Sequence, residues 1–520
     1  MLTTSKERLH LSAGIGRTAL LSRDDDAVLY WKPESGHCVI DWGQGNSVRL
    51  LPETQSVPGL SALALSEEAC PVPDISSANT LARAFRSDTG MMTTCAFSSA
   101  TPPQLLSDGV DALNARLEAL TGQPLSRAAL LSGDPTLALD FSNAPDLDLI
   151  MVTSLNFRAD FQAALLAQAL AYHAERGTPI RIMVSASLVG GRDRDFLTDL
   201  AARYPSIQLQ FYIWRQNMPG KVGAAIHRAQ HTKFFLTLSS DPDASRVIIG
   251  GRNLHDGYFF EHPFDLTAWP TLRDHVQEGL WERGYFAIFE DVDIELRDPA
   301  FVRAIASQAL AYWYRDAQSM VPLGPAQVAP INPASGAGPL MRHSISFPWS
   351  DGRGLEDWVV EMIDAAREDI TIVSEFFSPP DQILDALLRA QARGVTVRIV
   401  YQIGSPEPSN WLIKPLNTMS ASRWGDRFTF YAYDGPAQIL HAKIMVVDGA
   451  LSLVGSSNFN RRSFAHDSEN VLAILDRDAA QMLLRLAERL IDASNPVPPG
   501  QPVPRIGAFI ESWPILHDLF

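Results

Sequence analysis

The feature that most limits the fold of this chain is an internal repeat, which predicts two similar halves. In the first half, His231 and Lys233 stand two residues apart, and an asparagine follows the next apolar run. In the second half, His441 and Lys443 have the same spacing, and an asparagine again follows. The two histidines are 210 residues apart, a period too long for a solenoid. The repeat therefore predicts two related domains that lie side by side.

The segments that precede each His-x-Lys pair repeat as well. LIMVTSLNF (149–157) and ITIVSEFF (370–377) are short apolar runs, and each leads into a stretch with helical periodicity (161–172 and 383–391). A glycine and a β-rich run follow in both halves. This alternation predicts an α/β fold: two α/β/α sandwich domains, each a mixed sheet flanked by helices. We expect a pseudo-twofold axis between them and one shared active site.

Composition shifts divide the chain. A stretch rich in proline, glycine and alanine predicts an interdomain linker, and a proline-rich stretch near the end predicts an extended tail. The predicted units are an N-terminal region of unknown role (1–105), a first domain (106–317), the linker (318–339), a second domain (340–494) and the tail (495–520).

Bulk properties exclude several classes of protein. The net charge of −16 argues against a protein that coats nucleic acid through a broad basic surface. The three cysteines form no CxxC pair, so neither a disulfide framework nor a zinc finger is expected. No run of apolar residues is long enough for a signal peptide or a transmembrane helix. We expect a cytoplasmic or peripheral membrane protein, with export by a dedicated secretion machine as an open alternative.

The residue types of the repeat suit phosphodiester chemistry. We expect each His-x-Lys pair to lie in a strand, where residues i and i+2 point to the same face, so each histidine would share a face with its lysine. Imidazole acts as a nucleophile or proton donor near neutral pH, and lysine supplies positive charge for phosphate oxygens. One histidine would attack phosphorus and the other would protonate the leaving alcohol. The turns GGRN (250–253) and GSSN (455–458) offer close backbone approach and further donors.

These residues also carry a family resemblance. His441-x-Lys443-x4-Asp448, followed by GSSN, resembles the HKD motif of the phospholipase D superfamily, and the stretch around His231 resembles its N-terminal partner. Longer stretches, GGRNLHDGYF and GSSNFNRRSFAHDSE, are similar to those of bacterial cardiolipin synthases. One position departs from the pattern, because Leu238 stands where the first motif would have its aspartate.

The resemblance implies a set of site residues. It implies an acidic partner for each histidine after the asparagine turn, for which Glu469 and Asp265 are the candidates, with Asp256 as a weaker one. His231 is the expected nucleophile and His441 the expected general acid. The full predicted set comprises the catalytic residues His231, Lys233, His441, Lys443, Asp448, Asp265 and Glu469, and the substrate-binding residues Asn253, Ser456 and Asn458.

No cofactor and no metal are implied, although HRAQH (227–231) has a spacing that could bind a metal on a helix. The expected activity is that of a phospholipase D-type phosphodiesterase or phosphatidyltransferase acting on phospholipids, with peripheral membrane contact. Trp411 and Trp424 could contribute such contact or simply pack. A nuclease of the same family and a catalytically silent lipid-binding protein are the alternatives. Nucleic acid is the less expected partner because of the acidic net charge.

Overall fold

The computed structural model describes residues 79–87, 90–99, 101–212, 229–275, 286–314, 338–348, 353–404, 406 and 410–511. It also places six N-terminal strands in two antiparallel three-stranded sheets: Leu2–Ser5, Arg8–Ala13, Arg17–Ser22, Val28–Lys32, His37–Gly43 and Asn46–Leu50. Most of the predicted linker (318–339) lies outside the described residues.

A seven-stranded mixed sheet forms the centre of the first half. Its first three strands are parallel, and the remaining neighbours are antiparallel. In spatial order the strands are Ile207–Tyr212, Ile180–Ser185, Leu149–Ser154, Phe234–Leu238, Arg246–Gly250, Asp293–Leu296 and Gln104–Leu106.

A larger mixed sheet forms the centre of the second half and repeats this order. In spatial order its strands are Ser494–Pro496, Thr429–Tyr433, Thr396–Tyr401, Asp369–Ser374, Ile444–Val447, Leu451–Gly455, Glu469–Leu475, Leu340–Ser346 and Met92–Thr93, with Phe97–Ser98 also paired to Leu340–Ser346. The mixed sheets and flanking helices confirm the predicted α/β fold class.

Helices cover both faces of each sheet, and three apolar clusters result. The central cluster joins the halves, because helices Pro299–Tyr314 and Arg477–Asp492 both contribute to it. The other helices are Thr80–Arg86, Gly109–Thr121, Arg127–Leu130, Phe161–Glu175, Arg192–Arg203, Gly354–Ala365, Asp381–Ala392, Asn410–Trp424, Arg461–Ala465 and Arg505–Glu511, with 3-10 turns at Pro242–Ala244 and Asp256–Tyr258. Within the described part of the chain, no helix has both the length and the apolar character to cross a bilayer.

The stretch 79–105, assigned from the sequence to the N-terminal region, contributes to both sheets. Met92–Thr93 and Phe97–Ser98 pair with Leu340–Ser346, and Gln104–Leu106 forms an edge of the first sheet. These strands have two or three residues each, too short to show an alternating pattern in sequence.

Two short parallel strand pairs complete the architecture near the motifs. Phe289–Glu290 pairs with Ile439–Leu440 across the two halves, and Phe377–Ser378 pairs with Phe459–Asn460 within the second half. The first of these pairs leads directly into the second His-x-Lys motif.

Candidate active site

Both His-x-Lys motifs lie at the boundary between the halves, immediately before a strand instead of within one. The segment from His231 to Lys233 precedes Phe234–Leu238, and the segment from His441 to Lys443 precedes Ile444–Val447. Each segment is held by the backbone of the opposite half. The His231 amide donates to the Ser468 carbonyl at 2.9 Å, and the His441 amide donates to the Glu290 carbonyl at 2.8 Å.

Each histidine ring is bound by a carboxylate from the opposite half. Nδ1 of His231 lies 2.8 Å from both carboxylate oxygens of Glu469. Nδ1 of His441 lies 2.6 Å from Oδ2 of Asp291. All four side chains are buried, with Glu469 fully inaccessible and His441 7% exposed. Both rings therefore direct Nε2 away from the acids.

The carboxylate partner of His441 is Asp291, and Asp265 does not reach the site. Asp265 lies on the surface, where its Oδ1 accepts from the Thr267 hydroxyl at 2.6 Å and the Thr267 amide at 3.1 Å. Counting residues from the asparagine turn failed here because an insertion in the first half separates that turn from the next sheet strand. Glu469 begins such a strand, and Asp291 lies just before the corresponding strand Asp293–Leu296. The sequence feature that could have identified Asp291 is an acidic residue at or just before the start of this strand.

Asp448, predicted among the catalytic residues, has a structural position. It lies at the far end of strand Ile444–Val447 from His441 and adopts a φ of 50°. Its carboxylate accepts from the backbone amides of Arg367, Glu368 and Asp369 at 2.8 to 3.1 Å. It therefore joins two chain segments and contacts neither histidine.

The first half replaces this carboxylate with an apolar residue at the same place. Leu238 is buried and pairs with Leu149 at the end of its strand. The departure from the motif at Leu238 leaves the two histidines and their carboxylates in place.

Ser456 supports a carboxylate. Its hydroxyl donates to Glu469 and accepts from the Asn470 amide at 2.9 Å. In the first half the corresponding space is taken by backbone: a Cβ at Gly251 would stand 2.2 Å from Oδ1 of Asp291. Glycine is required there because the shorter aspartate needs the main chain close to it.

Asn253 and Asn458 occupy equivalent places in their turns, but their hydrogen bonds differ. Oδ1 of Asn253 accepts from the Asn156 amide at 3.2 Å, and its Nδ2 donates to the Tyr258 hydroxyl at 3.0 Å. Asn458 is buried, and its Oδ1 has no hydrogen-bond partner among the described residues. A buried amide oxygen without a protein partner is a position that a ligand or water can complete.

Both lysines are buried behind their histidines. Nζ of Lys233 donates to the His231 carbonyl at 2.9 Å, and Nζ of Lys443 donates to the His441 carbonyl. Burial lowers the pKa of Lys233 to about 7 and also lowers the pKa of Lys443. An ammonium group has three donors, so each lysine retains capacity for an anionic ligand.

Burial also opposes charge on the histidine–carboxylate pairs. It lowers the pKa of His231 and of His441 well below the ordinary value, and it raises the pKa of Glu469 and Asp291 to about 7. Without substrate, these shifts disfavour a full imidazolium–carboxylate ion pair at either histidine. An anionic substrate would favour additional positive charge in such a site.

Two further side chains lie near Nε2 of His441 and were not identified as catalytic from the sequence. The Tyr258 hydroxyl is 3.3 Å from Nε2, and Oε2 of Glu375 is 3.9 Å from it. Glu375 follows a buried strand, and nothing in the spacing of the motif points to it.

The metal alternative based on HRAQH involves His227, which lies outside the described residues. Within the described ranges, one group of buried side chains has metal-ligating atoms within 4.8 Å of one another: Asp160, His255 and His275. Nδ1 of His255 already accepts from the Gly257 amide at 3.0 Å, and Nε2 of His275 lies 3.0 Å from Asp160. These hydrogen bonds explain why the three side chains lie close together behind Tyr258.

The chain is similar in sequence to several known proteins. A family model described as cardiolipin synthase, PLD-like domain, matches residues 359–491. Cardiolipin synthase A of Pseudomonas aeruginosa (strain LESB58) is 30% identical over 203 residues, which is 39% of either chain. Cardiolipin synthase A of Pseudomonas putida (strain KT2440) is 24% identical over 337 residues, 65% of this chain and 62% of its own.

Residues 359–491 match the PLD-like domain, and this part of the chain resembles the phospholipase D superfamily. A solved structure of similar fold is phosphatidylserine synthase from Haemophilus influenzae Rd KW20, with a TM-score of 0.56 and 12% identity, covering 81% of this chain and 92% of that chain. The sequence matches cover less than two thirds of the relatives' own length, 39% for the P. aeruginosa protein. Activity and substrate must therefore be inferred from the site.

Proposed function

We propose that this protein is a phospholipase D-type enzyme that cleaves or transfers the phosphodiester of a phospholipid through a phosphohistidine. One observation carries the proposal: two buried histidines are each bound at Nδ1 by a carboxylate from the opposite half, with two lysines behind them. A carboxylate at Nδ1 holds the ring in one tautomer and stabilises the imidazolium that forms when Nε2 reacts.

In the first step, Nε2 of His231 attacks phosphorus and the bond from phosphorus to the headgroup oxygen breaks. His441 donates its Nε2 proton to that oxygen, so the headgroup leaves as a neutral alcohol. His231 suits the nucleophile role because both oxygens of Glu469 stabilise the positive charge on its ring. His441 suits proton transfer because Nε2 lies within reach of the Tyr258 hydroxyl.

In the second step, His441 accepts a proton from an incoming hydroxyl, whose oxygen attacks phosphorus. The phosphorus–nitrogen bond to His231 breaks, and the enzyme returns to its starting state. Water as acceptor yields phosphatidic acid, and an alcohol yields a new phosphodiester. The two displacements give ping-pong kinetics and retain configuration at phosphorus.

The phosphate position is inferred from the remaining donors. Lys233 and Lys443 would neutralise the non-bridging oxygens. The unsatisfied Oδ1 of Asn458 can only accept, so it would bind a hydroxyl donor of the substrate or of the incoming alcohol. Asn253 acts through Tyr258, since its Nδ2 holds the phenol that faces His441.

A surface beside the site supports a membrane-borne substrate. Helix Asn410–Trp424 is anchored at the site, because Nδ2 of Asn417 donates to the Glu375 carbonyl at 3.0 Å. Trp411, near the start of this helix, is 65% exposed. Helix Arg505–Glu511 packs against it, since a Cβ at Gly507 would stand 2.9 Å from the Pro415 carbonyl.

We propose that this helix pair contacts the lipid bilayer. The surface carries exposed apolar side chains at Trp411, Val503, Ile506 and Phe509. Three of the four charged residues in the two helices are basic (Lys414, Arg423 and Arg505), in a chain with a net charge of −16. Aromatic and basic residues together suit the headgroup region of an anionic bilayer.

The function is tested by incubating the purified protein with mixed phospholipid vesicles and a primary alcohol, with products resolved by mass spectrometry. The wild type is expected to form a phosphatidyl-alcohol, and His231→Ala and His441→Ala are expected to form none. His262→Ala is the matched control because that histidine lies on the surface.

Absence of lipid turnover would reject the lipid proposal. Cleavage of single-stranded DNA by the same preparation would then identify a nuclease. Vesicle binding that is unchanged in the double-histidine variant, without turnover, would identify a silent lipid-binding protein.

A further inference from the structure

Three consecutive residues of the second half bind the first His-x-Lys motif. The Ser468 carbonyl accepts from the His231 amide at 2.9 Å, and the carboxylate of Glu469 binds Nδ1 of the His231 ring at 2.8 Å. Asn470 binds the next part of the motif. Its Oδ1 accepts from the Lys233 amide at 2.6 Å, and its Nδ2 donates to the Lys233 carbonyl at 3.3 Å. One side-chain amide therefore holds both polar groups of the Lys233 backbone across the interface.

At the second motif the corresponding residue is apolar. Asp291 has the role of Glu469, so Val292 is the counterpart of Asn470. The Val292 side chain is buried and has no polar atom with which to bind the backbone of Lys443. The two lysines are thus held differently at the backbone, although each Nζ donates to the carbonyl of its own histidine. The amide of Asn470 serves the half that carries the expected nucleophile.

A chain of buried polar groups fixes the orientation of the Asn470 amide. Nδ2 of Asn470 lies 3.4 Å from Nε2 of His343, and Nδ1 of His343 lies 2.5 Å from Oε1 of Gln308. Because an amide oxygen can only accept, Nδ1 of His343 carries the proton and Nε2 accepts from Asn470. Burial lowers the pKa of His343 to about 3, so this ring stays neutral and keeps its acceptor nitrogen. All three side chains are inaccessible to solvent.

We propose that Asn470 is a positioning residue that holds Lys233, and with it His231, where the phosphate binds. This assignment rests on the proposed function, in which Lys233 neutralises a non-bridging oxygen. Nζ of Lys233 is bonded to the His231 carbonyl at 2.9 Å, so a shift of the Lys233 backbone would move both the ammonium group and the nucleophile. A displacement of about 1 Å in such a site can cost about 100-fold in rate.

The test is a double-mutant cycle with bis(p-nitrophenyl) phosphate, a soluble phosphodiester that carries no lipid. The value of kcat/KM is measured for the wild type, Asn470→Leu, Lys233→Met and the double variant. Asn470→Leu should lower kcat/KM by about 10- to 100-fold when Lys233 is present. In the Lys233→Met background the same change should cost less than about twofold, because the group on which Asn470 acts is gone. The same fold loss in both backgrounds would overturn the assignment, since it indicates a merely structural role.

Asn114 provides a matched control. Its Oδ1 accepts from the Leu125 amide at 2.8 Å, and its Nδ2 donates to the Leu125 carbonyl at 2.9 Å, so Asn114→Leu removes the same pair of hydrogen bonds on helix Gly109–Thr121. This control should change kcat/KM by less than about twofold. A loss as large as that of Asn470→Leu would overturn the assignment. Asn470→Ser, a smaller change in the core, replaces Asn470→Leu if the leucine variant does not fold.

The soluble diester also separates this proposal from the lipid function. Turnover of the diester without turnover of vesicles would reject the lipid function, and the cycle would still decide the role of Asn470. If the wild type or Lys233→Met gives no measurable turnover, affinity for inorganic phosphate, measured by calorimetry on the same four proteins, replaces kcat/KM. Phosphate should then bind several-fold more weakly to Asn470→Leu than to the wild type, and equal affinity would overturn the assignment.

Discussion

Replacement of Lys233 by methionine should strongly reduce activity and at the same time stabilise the fold. Methionine keeps the length of the side chain but removes the ammonium group that the site buries. The residue is 2% exposed, and its polar contact is the His231 carbonyl at 2.9 Å. Without substrate, the protein stabilises the charge of the buried Lys233 ammonium group poorly.

The size of the effect follows from the pKa. Burial lowers the pKa of Lys233 from 10.5 to about 7, which corresponds to a cost of about 5 kcal/mol for the charged form. Because the unfolded chain keeps this proton up to 10.5, the cost is complete below pH 7 and disappears as pH rises to 10.5. Loss of the hydrogen bond to the His231 carbonyl costs about 1 to 3 kcal/mol. We therefore expect a net gain of about 2 to 4 kcal/mol at pH 6 to 7.

The assay is thermal unfolding at one scan rate, combined with turnover of phospholipid vesicles. For a chain of this size the gain corresponds to a rise in Tm of about 2 to 4 °C, and kcat/KM should fall by about 100- to 1000-fold or more. Arg116→Met is the matched control, because Arg116 is a buried cation paired with Asp293 at 2.9 Å. Removing that structural partner should lower stability by about 3 to 5 kcal/mol.

A loss of stability in Lys233→Met comparable to that of Arg116→Met would refute the reasoning. Lys233 would then be a structural ion-pair partner. A Tm gain that stays constant between pH 6 and pH 10 would refute the assigned cause.

Three further predictions concern the site and its surroundings. Asp291→Asn should reduce kcat by about 10³- to 10⁴-fold, because the amide favours the wrong tautomer of His441. Asp265→Asn should leave kcat unchanged. A large loss of kcat in Asp265→Asn and none in Asp291→Asn would contradict the assigned partner. The basic limb of kcat/KM should fall as pH rises through about 7, since Lys233 loses its proton there in the free enzyme, and a limb near pH 10 would count against this. Trp411→Ala should weaken binding to anionic vesicles several-fold in a sedimentation assay without changing kcat/KM for a soluble diester; unchanged vesicle binding would remove the proposed bilayer surface.

The fold class could be predicted from the sequence because it is repeated. Two copies of His-x-Lys in matching strand–helix frames predicted one shared site, and in the structure each ring contacts a carboxylate of the opposite half. Repetition identifies groups that both halves share.

Residues that break the repeat were missed or misplaced. Asp291 lies beyond an insertion, so counting from the turn selected the exposed Asp265. Asp448 is the aspartate of the second motif, but it lies at the end of the strand away from His441. Its carboxylate accepts hydrogen bonds from backbone amides there. Glu375 replaces a leucine of the other half, and its position beside His441 depends on tertiary packing that local patterns do not contain.

The measurement that tests the account most directly is trapping of the covalent intermediate. Phosphatidyl-p-nitrophenol carries a leaving group that needs no protonation, so the first step should proceed in His441→Ala while the second step stalls. We predict a burst of one p-nitrophenolate per active site and, by mass spectrometry of the alkali-quenched protein, a phosphatidyl adduct on His231. An adduct on His441 in His231→Ala, with no burst in His441→Ala, would reverse the roles. Absence of any histidine adduct during turnover by the wild type and both variants would contradict the phosphohistidine mechanism.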